Sequence, residues 1–215
     1  MLPTPDFSHL KADDYDHVYE PAEDTFLFLD ALEDEMDTVL RPLNPAIALE
    51  IGSGSGCVSS FLAMHLKTPT LYITTDINPR ACDATARTGS QNKVAINPIL
   101  TSLTGGLMPR LARSVDVLLF NPPYVPTPDE EVGTPDISAA WAGGIRGRRV
   151  IDQVIPLLDV LLSDWGVAYF VFVKENDVPE ITEWVHREWG IVAEQVKARR
   201  SGPEHLSIVR FRRQM

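Results

Sequence analysis

The residues best suited to chemistry are Asn121, Pro122, Pro123 and Tyr124, which directly follow the apolar run 115–120. Such a run is typical of a buried strand, and open α/β sheets bind ligands at the carboxyl ends of their strands. Proline has no N–H, so Pro122 can present only its carbonyl. That carbonyl and the Asn121 side-chain oxygen make two acceptors for a planar NH2 group, with Tyr124 as an aromatic wall. Asn and Pro also favour plain turns, which is the alternative interpretation.

A second cluster is the glycine loop, residues 50–56, in which Gly52, Gly54 and Gly56 lie two positions apart. Glycine lets the backbone approach a ligand closely, but the spacing matches neither the dinucleotide fingerprint nor a phosphate-binding loop. Asp76 ends the next apolar run, 20 residues after Gly56, where an acid can accept both hydroxyls of a ribose. Alone, the loop could be a strand–helix turn and Asp76 a capping residue. Together they indicate a ribose-bearing ligand without required phosphates, which suggests S-adenosylmethionine.

Short apolar runs alternate with helical patterns along the rest of the chain. Strands are predicted near 46–51, 71–75, 96–100, 115–120, 167–173, 191–197 and 206–211. This alternation predicts a Rossmann-like α/β fold, a seven-stranded, mostly parallel sheet with helices on both faces. The last two strands, joined by 201–203, should form an antiparallel C-terminal hairpin. A long loop, 121–146, precedes a helix over about 147–162 that Pro156 should kink or split.

The first helix is predicted over 23 to about 40, from apolar residues at three- and four-residue steps. That register puts Thr25 on the inward face. Pro42 and Pro45 are expected to end the helix, because proline cannot continue one.

Length and charge limit the possibilities further. The 215 residues suffice for one domain with a full core, predicted over 19–215 after a mobile segment, 1–18. Net charge is -11, from 19 basic and 30 acidic residues, and such a surface repels a phosphate backbone. Direct DNA binding is therefore not expected.

The two cysteines, Cys57 and Cys82, have neither metal-binding nor redox spacing. No metal site is expected. No apolar stretch reaches membrane-spanning length and no signal segment is evident. A cytoplasmic protein, with the nucleus as a second compartment, is predicted.

These motifs resemble those of the class I S-adenosylmethionine-dependent methyltransferases. The runs 50–56, Asp76 and 121–124 are most similar to the release factor glutamine N5-methyltransferases (HemK-like family). The runs 19–25 (Tyr-Glu-Pro-Ala-Glu-Asp-Thr) and 140–144 (Ala-Trp-Ala-Gly-Gly) resemble the eukaryotic catalytic subunits. Those enzymes modify the glutamine of a Gly-Gly-Gln motif in the class I release factor.

The resemblance implies a role for each matching position. It implies S-adenosylmethionine contacts from Tyr19, Thr25, Glu50, Gly52, Gly54, Gly56, Asp76, Ile77, Ser102, Leu103 and Asn121. Substrate contacts are implied for Asn121, Pro122, Pro123, Tyr124 and Trp141, of which Asn121, Pro122 and Tyr124 are the implied catalytic residues. The family usually has an acid where this chain has Ser102, which can donate a hydrogen bond but carries no charge.

The resemblance also implies a heterodimer with a small zinc-binding activator. The third strand, 96–100, should lie at a sheet edge and carries no charge to protect it, so a partner strand could add there. Two alternatives remain. The first is an adenine N6 DNA methyltransferase, which would use the same two hydrogen-bond acceptors to hold the NH2 group of a flipped adenine. The second is a non-catalytic scaffold, which the uncharged Ser102 suggests.

Overall fold

A computed structural model of the protein describes residues 1–132 and 137–214. Seven strands form one sheet in the order β3-β2-β1-β4-β5-β7-β6. They are β1 Ile47–Ile51, β2 Leu71–Asp76, β3 Ile96–Leu100, β4 Val115–Phe120, β5 Leu162–Val173, β6 Ile191–Ser201 and β7 Glu204–Arg213. The first five pair in parallel, whereas β7 is antiparallel to both β5 and β6. The predicted sheet, its C-terminal hairpin and the edge position of β3 are confirmed.

Eight α-helices are seen in the described part of the chain: α1 Ala12–Tyr15, α2 Glu23–Glu35, α3 Arg41–Leu43, α4 Cys57–Leu66, α5 Pro79–Gln91, α6 Ile151–Val154, α7 Leu157–Leu161 and α8 Val178–Trp189. Pro156 separates α6 from α7 as predicted. Within residues 1–132 and 137–214, no helix combines the length and apolar character needed to cross a bilayer.

Two predicted helix boundaries are wrong. The first helix passes through Pro42, because a π-helical segment, Met36–Leu40, leads from α2 into α3 and places Pro42 in the first turn of α3. A proline there needs no N–H. The helix ends at Asn44, which is left-handed with φ 50°. α6 begins at Ile151 rather than near residue 147, since Arg146 and Gly147 have φ of 61° and 67°.

The hydrophobic core lies on both faces of β4 and β5. The carboxyl-terminal half of β5 is buried throughout, as expected for a parallel strand covered on both sides. Phe170 contacts Phe120 and Phe211 edge to face, with ring centroids 5.2 Å apart in each pair. β5 is five residues longer at its start than predicted, because Leu162 pairs with Val115 beyond a register shift. Of the predicted loop 121–146, residues 133–136 lie outside the described part.

The first 18 residues, which the sequence predicts to be mobile, make contacts with the rest of the domain, and their mobility stays a prediction. Leu10 and Val18 are buried against Ala81 and Ala84 of α5, and Arg87 pairs with Asp14. The segment has too few apolar residues, too widely spaced, for any periodic pattern to show this packing. The division of the chain at residue 18 stays a prediction.

Gly56 is expected to be essential for packing α4 against α5. It precedes α4 with φ 75°, and a Cβ built there would lie 2.7 Å from the Thr85 Cα of α5. Gly56→Ala should therefore lower the free energy of unfolding by roughly 2–5 kcal/mol, from left-handed strain plus overpacking. Urea unfolding measures this loss.

Gly190→Ala is the matched control, because Gly190 also has a positive φ, 63°, at a helix end, but no atom of residues 1–132 or 137–214 lies within 4 Å of a Cβ built there. It should lose only about 1–2 kcal/mol. Equal losses in the two variants would contradict the packing argument.

Candidate active site

A cavity of about 700 Å³ opens at the carboxyl ends of β1, β2 and β4. It gathers residues that are far apart in the sequence. The predicted site residues that line it are Tyr19, Thr25, Glu50, Gly52, Gly54, Asp76, Ile77, Ser102, Leu103, Asn121, Pro122, Pro123, Tyr124 and Trp141. Gly56 is not part of the lining. It faces Thr85 of α5 and allows α4 and α5 to pack closely.

One side of the cavity is the glycine loop between β1 and α4. Gly52 and Gly54 have φ of 70° and 51°, and a Cβ built at either position has no atom of the described part of the chain within 4 Å. The positive φ explains glycine at these positions, and the open space leaves the backbone free to approach a ligand. The neighbouring Ser53 hydroxyl accepts a hydrogen bond from the Thr85 hydroxyl at 2.9 Å, which ties the loop to α5.

Asp76 supports the glycine loop from the end of β2. Its Oδ2 accepts a hydrogen bond from the Gly54 N–H at 3.0 Å, and its Oδ1 accepts one from the Asn78 N–H at 2.9 Å. Burial raises the pKa of this carboxyl. A carboxylate oxygen can accept more than one hydrogen bond, so Asp76 has both the turn-stabilising role and capacity for ligand hydroxyls.

Glu50 lies buried beneath the same loop. Its Oε2 accepts hydrogen bonds from the Ser59 N–H, at 3.1 Å, and from the Ser59 hydroxyl. Burial raises its pKa to about 8, against the lowering effect of the two Ser59 hydrogen bonds. Folding therefore favours the protonated form of this carboxyl.

A third wall is apolar. Ile77, 54% exposed, follows β2, and Leu103 lies in the turn after β3 with φ 49°. Ser102 is exposed beside Leu103. This wall suits the flat, weakly polar face of a nucleobase, with the Ser102 hydroxyl as a nearby polar group.

The opposite end of the cavity is organised by Asp24, which sequence reasoning did not select. Asp24 is 3% exposed. Its Oδ2 accepts hydrogen bonds from Asn121 Nδ2, at 2.9 Å, and from the Tyr124 hydroxyl, at 3.1 Å. Its Oδ1 accepts from the Thr25 N–H at 2.7 Å and from the Tyr19 hydroxyl at 3.2 Å. A signal was present, since positions 24, 27, 28 and 31 form one buried face of α2 and a carboxylate there needs partners.

The two tyrosines at this end remain protonated. Burial and then the negative charge of Asp24 raise the pKa of both Tyr19 and Tyr124. Each hydroxyl can therefore act as a donor to Asp24, and neither can serve as a base near neutral pH.

Asn121 is held in one orientation by these contacts. Because its NH2 group donates to Asp24, its Oδ1 must point the other way. That oxygen is buried and has no hydrogen-bond partner among the described residues. Since a buried polar atom without a partner costs roughly 1–3 kcal/mol, Asn121 Oδ1 marks a place where a ligand donor would bind.

Trp141 lies at the rim of the cavity, 37% exposed. The Val125 N–H donates to the Trp141 carbonyl at 3.0 Å, and the Gly143 N–H donates to the Val125 carbonyl at 2.8 Å. These bonds join the segment after Tyr124 to the segment around Trp141. The sequence-predicted acceptor residues thus lie together.

Comparison with known proteins identifies the family. Methyltransferase HEMK2 of Mus musculus is 47% identical over 210 residues, covering 98% of this chain and 96% of its own length. The eRF1 methyltransferase catalytic subunit mtq2 of Schizosaccharomyces pombe is 39% identical over 226 residues, covering 99% and 96%. The chain belongs to the HEMK2/mtq2 methyltransferase family. No protein-family model matches it.

Solved structures agree with this assignment. The HEMK2/mtq2 fold seen here matches Mtq2 in the E. cuniculi Mtq2–Trm112 complex with a TM-score of 0.67 and 27% identity, over 92% of this chain and 99% of that one. A ribosomal protein L11 methylase from Lactobacillus delbrueckii subsp. bulgaricus shares the fold, with a TM-score of 0.62 and 17% identity over 92% and 82%.

Glu204, at the start of β7, also lines the cavity of this HEMK2/mtq2 family member. The sequence analysis did not predict it as a site residue. Burial, and then the negative charges of Asp24 and Glu175, raise its pKa. Nothing local to the hairpin turn indicates that it reaches the cavity. Its carboxyl makes this end of the cavity favourable for positive charge.

The buried carboxyl of Glu50 predicts a pH-dependent stability. Its pKa is about 8 in the folded protein against 4.5 as the ordinary value, so between these pH values the unfolded chain has released the proton and the folded chain retains it. Stability must therefore fall as pH rises through this window. Glu50→Gln keeps an acceptor for Ser59 without the charge, and should gain stability over the wild type on the order of 3 kcal/mol between pH 5 and pH 8.

Urea unfolding of the ligand-free proteins at both pH values measures the difference. Glu183→Gln, on the exposed side of α8, is the control and should show the wild-type pH dependence. An identical dependence in Glu50→Gln and wild type would refute the burial argument.

Proposed function

We propose that this protein transfers the methyl group of S-adenosylmethionine to the side-chain nitrogen of the glutamine in the Gly-Gly-Gln motif of the class I release factor. The observation that carries the proposal is the side-chain oxygen of Asn121. Asp24 holds this amide in the cavity, and residues 1–132 and 137–214 offer its Oδ1 no hydrogen-bond donor. An amide NH2 group is the donor that this oxygen and the neighbouring Pro122 carbonyl would suit.

The residues present fit S-adenosylmethionine. Asp76, whose carboxyl oxygens can accept more hydrogen bonds than those from the Gly54 and Asn78 N–H groups, would hold the ribose hydroxyls. The open Gly52–Gly54 backbone would lie along the ligand, and Ile77 and Leu103 would cover the adenine. When bound, the cofactor supplies an electrophilic methyl group on a sulfonium.

The acceptor glutamine would be held by two oxygens. An amide nitrogen is a weak nucleophile because its lone pair is delocalised into the carbonyl. Asn121 Oδ1 and Pro122 O would accept its two N–H bonds and stabilise the positive charge that develops on nitrogen, with preorganised dipoles typically worth roughly 3–4 kcal/mol each. Tyr124 would pack against the planar amide and offer its π face to that charge.

The transfer itself is an in-line displacement. The nitrogen–carbon bond forms as the carbon–sulfur bond breaks, and the sulfur leaves with the bonding electron pair. The nitrogen then loses one proton, which has become acidic through methylation, so no strong base is required. The protein contributes by holding the nitrogen opposite the methyl group.

The relatives support the choice of substrate. The Schizosaccharomyces pombe protein is named an eRF1 methyltransferase catalytic subunit, and a Methanocaldococcus jannaschii protein, 34% identical over 70% of this chain and 70% of its own length, is named a putative protein N5-glutamine methyltransferase. Because translation termination takes place in the cytosol, we place the protein there, with the nucleus as a second compartment.

The direct test is methylation of the release factor by the protein together with its partner, read by mass spectrometry of the Gly-Gly-Gln peptide. A release factor with Gln replaced by Asn in that motif should take up no methyl group. Duplex DNA should also remain unmodified, given the net charge of -11. Methylated DNA and an unmodified release factor would overturn the proposal.

Asn121→Ala should slow methyl transfer without weakening the binding of S-adenosylmethionine. Loss of one electrostatic contact in a catalytic site typically costs roughly a hundredfold in rate, whereas the cofactor dissociation constant should change little. Single-turnover kinetics and calorimetric titration with S-adenosylmethionine measure the two quantities. Asn92→Ala serves as control, because Asn92 caps the C-terminal end of α5 and is not among the residues that line the cavity.

If Asn121→Ala retains more than about a tenth of the wild-type rate, Asn121 does not hold the acceptor amide. A large loss of cofactor binding in this variant would equally place Asn121 on the cofactor side.

We also propose that the protein works in a heterodimer with a small zinc-binding activator, bound along β3. A solved relative is a complex of Mtq2 with Trm112. β3 has β2 as its only strand neighbour in the described sheet, and Leu100 on it is 58% exposed. A partner strand would pair with the open edge and cover this leucine.

Leu100→Lys should weaken the heterodimer without unfolding the catalytic chain. Leu100 is preferable to Ile99, which is partly buried against the core, so a lysine at 99 would disturb the chain itself. Size-exclusion chromatography of the co-expressed pair, with the midpoint of unfolding of the lone chain, gives the answer. Val160→Lys, at a 38% exposed position on α7, is the control, and equal association of both variants would exclude the β3 edge.

A further inference from the structure

Asn176 is a buried amide that lies outside the cavity lining. It ends a short 3-10 helix, Lys174–Asn176, that directly follows β5, and it is 0% exposed. β5 lies beside β4 in the sheet, so Asn176 is next to the segment that follows Asn121 to Tyr124.

The side chain of Asn176 joins three segments of backbone. Its Oδ1 accepts a hydrogen bond from the Val173 N–H at 2.8 Å. Its NH2 group donates to the Tyr124 carbonyl at 3.0 Å and to the Arg146 carbonyl at 2.9 Å, with the Gly147 carbonyl at 3.4 Å. One amide donor at the end of β5 therefore holds the carbonyl of the last residue in the Asn-Pro-Pro-Tyr run.

Gly147 shows how tightly this contact is packed. A Cβ at Gly147 would lie 1.8 Å from the Tyr124 carbonyl oxygen and 2.6 Å from Asn176 Nδ2. The turn at 145–147 thus presses against the same carbonyl that Asn176 binds. Any other residue at 147 would displace it, so the position of the Tyr124–Val125 peptide is fixed from two sides.

We infer that Asn176 is a positioning residue for the acceptor site. Asp24 fixes the side chains of Asn121 and Tyr124, but the two acceptors proposed for the substrate include a backbone carbonyl, that of Pro122. Pro122 and Pro123 restrict the chain between Asn121 and Tyr124. A hydrogen bond from Asn176 that fixes the Tyr124 carbonyl therefore also limits the orientation of the preceding peptide groups, including the Pro122 carbonyl. This inference rests on the proposed function, since it concerns where that reaction's acceptor binds.

Asn176→Asp tests the inference through pH. One oxygen of the introduced carboxyl can still accept from the Val173 N–H, while the other faces three carbonyl oxygens. When ionised, it repels them; when protonated, it donates one hydrogen bond and restores part of the contact. Burial favours the protonated form, so kcat should fall about tenfold or more at pH 8 and recover toward wild type as pH is lowered to about 6.

The heterodimer and the release factor are used for this measurement, with wild type assayed at every pH. Dissociation constants for S-adenosylmethionine should stay within about threefold of wild type, because Asn176 does not line the cavity. Asn92→Asp is the matched control. The Asn92 NH2 group also donates to two carbonyls, those of Asp6 and Thr88. Neither carbonyl belongs to the Asn-Pro-Pro-Tyr run or to the segment around Gly147, so kcat should keep the wild-type pH profile.

Hydrogen–deuterium exchange gives a readout that does not depend on substrate. The Val125 and Gly143 N–H groups form the bonds that join the two loops, and in Asn176→Asp they should exchange faster than in wild type at pH 8. Asn176→Ala, which removes the donor without adding charge, should lower kcat at every pH, and supplies the test if Asn176→Asp does not yield soluble protein.

Faster exchange with unchanged kcat would overturn the inference, because the loop would then move without consequence for transfer. Unchanged exchange and unchanged kcat would overturn it as well. A wild-type heterodimer that fails to methylate the release factor overturns the proposed function instead, and in that case the exchange result alone decides whether Asn176 holds the loop.

Discussion

One buried carboxylate, that of Asp24, determines the geometry of the acceptor end. A carboxylate removed from water must receive hydrogen bonds, and Asp24 receives them from the Thr25 backbone, Tyr19, Asn121 and Tyr124. Each donor is thereby fixed in turn. Because the NH2 group of Asn121 donates to Asp24, the Asn121 side-chain oxygen must point the other way, where no described residue donates to it.

The two halves of the cavity are held by interactions of different range. On the side proposed for the cofactor, Asp76 binds Gly54 and Glu50 binds Ser59, pairs 22 and 9 positions apart in the chain. On the side proposed for the acceptor, Asp24 binds Asn121 across 97 positions, and Asn176 binds the Tyr124 carbonyl across 52. The contacts around Asp76 and Glu50 form within β1, the glycine loop, α4 and the neighbouring β2. The contacts of Asp24 and Asn176 form only when the distant segments of the chain have come together in the sheet.

This difference explains how much could be predicted from the sequence. The sheet, the glycine loop, Asp76 and the Asn-Pro-Pro-Tyr run carry local patterns, and each was found from spacing and residue type. Asp24 lies within a recognised run, but its role depends on residues about a hundred positions away. Glu204 reaches the cavity, and Asn176 reaches the Tyr124 carbonyl behind it, through the order of the strands, which no local pattern encodes. The packing of Leu10 and Val18, and the continuation of the helix through Pro42, likewise depend on tertiary contacts.

The strand order also constrains how the protein can fold. β7 lies between β5 and β6, although β6 comes first in the chain. β6 therefore cannot pair with its neighbour in the sheet before β7 forms. Either β7 pairs with β5 first and β6 adds afterwards, or β6 and β7 form a hairpin that then docks onto β5. The ten residue pairs between β6 and β7 are local and close quickly, whereas docking onto β5 requires long-range contacts, which form slowly. Until the hairpin docks, β5 has a free edge that another strand could pair with. The hairpin that carries Glu204 to the cavity also covers this edge, because β7 pairs with β5.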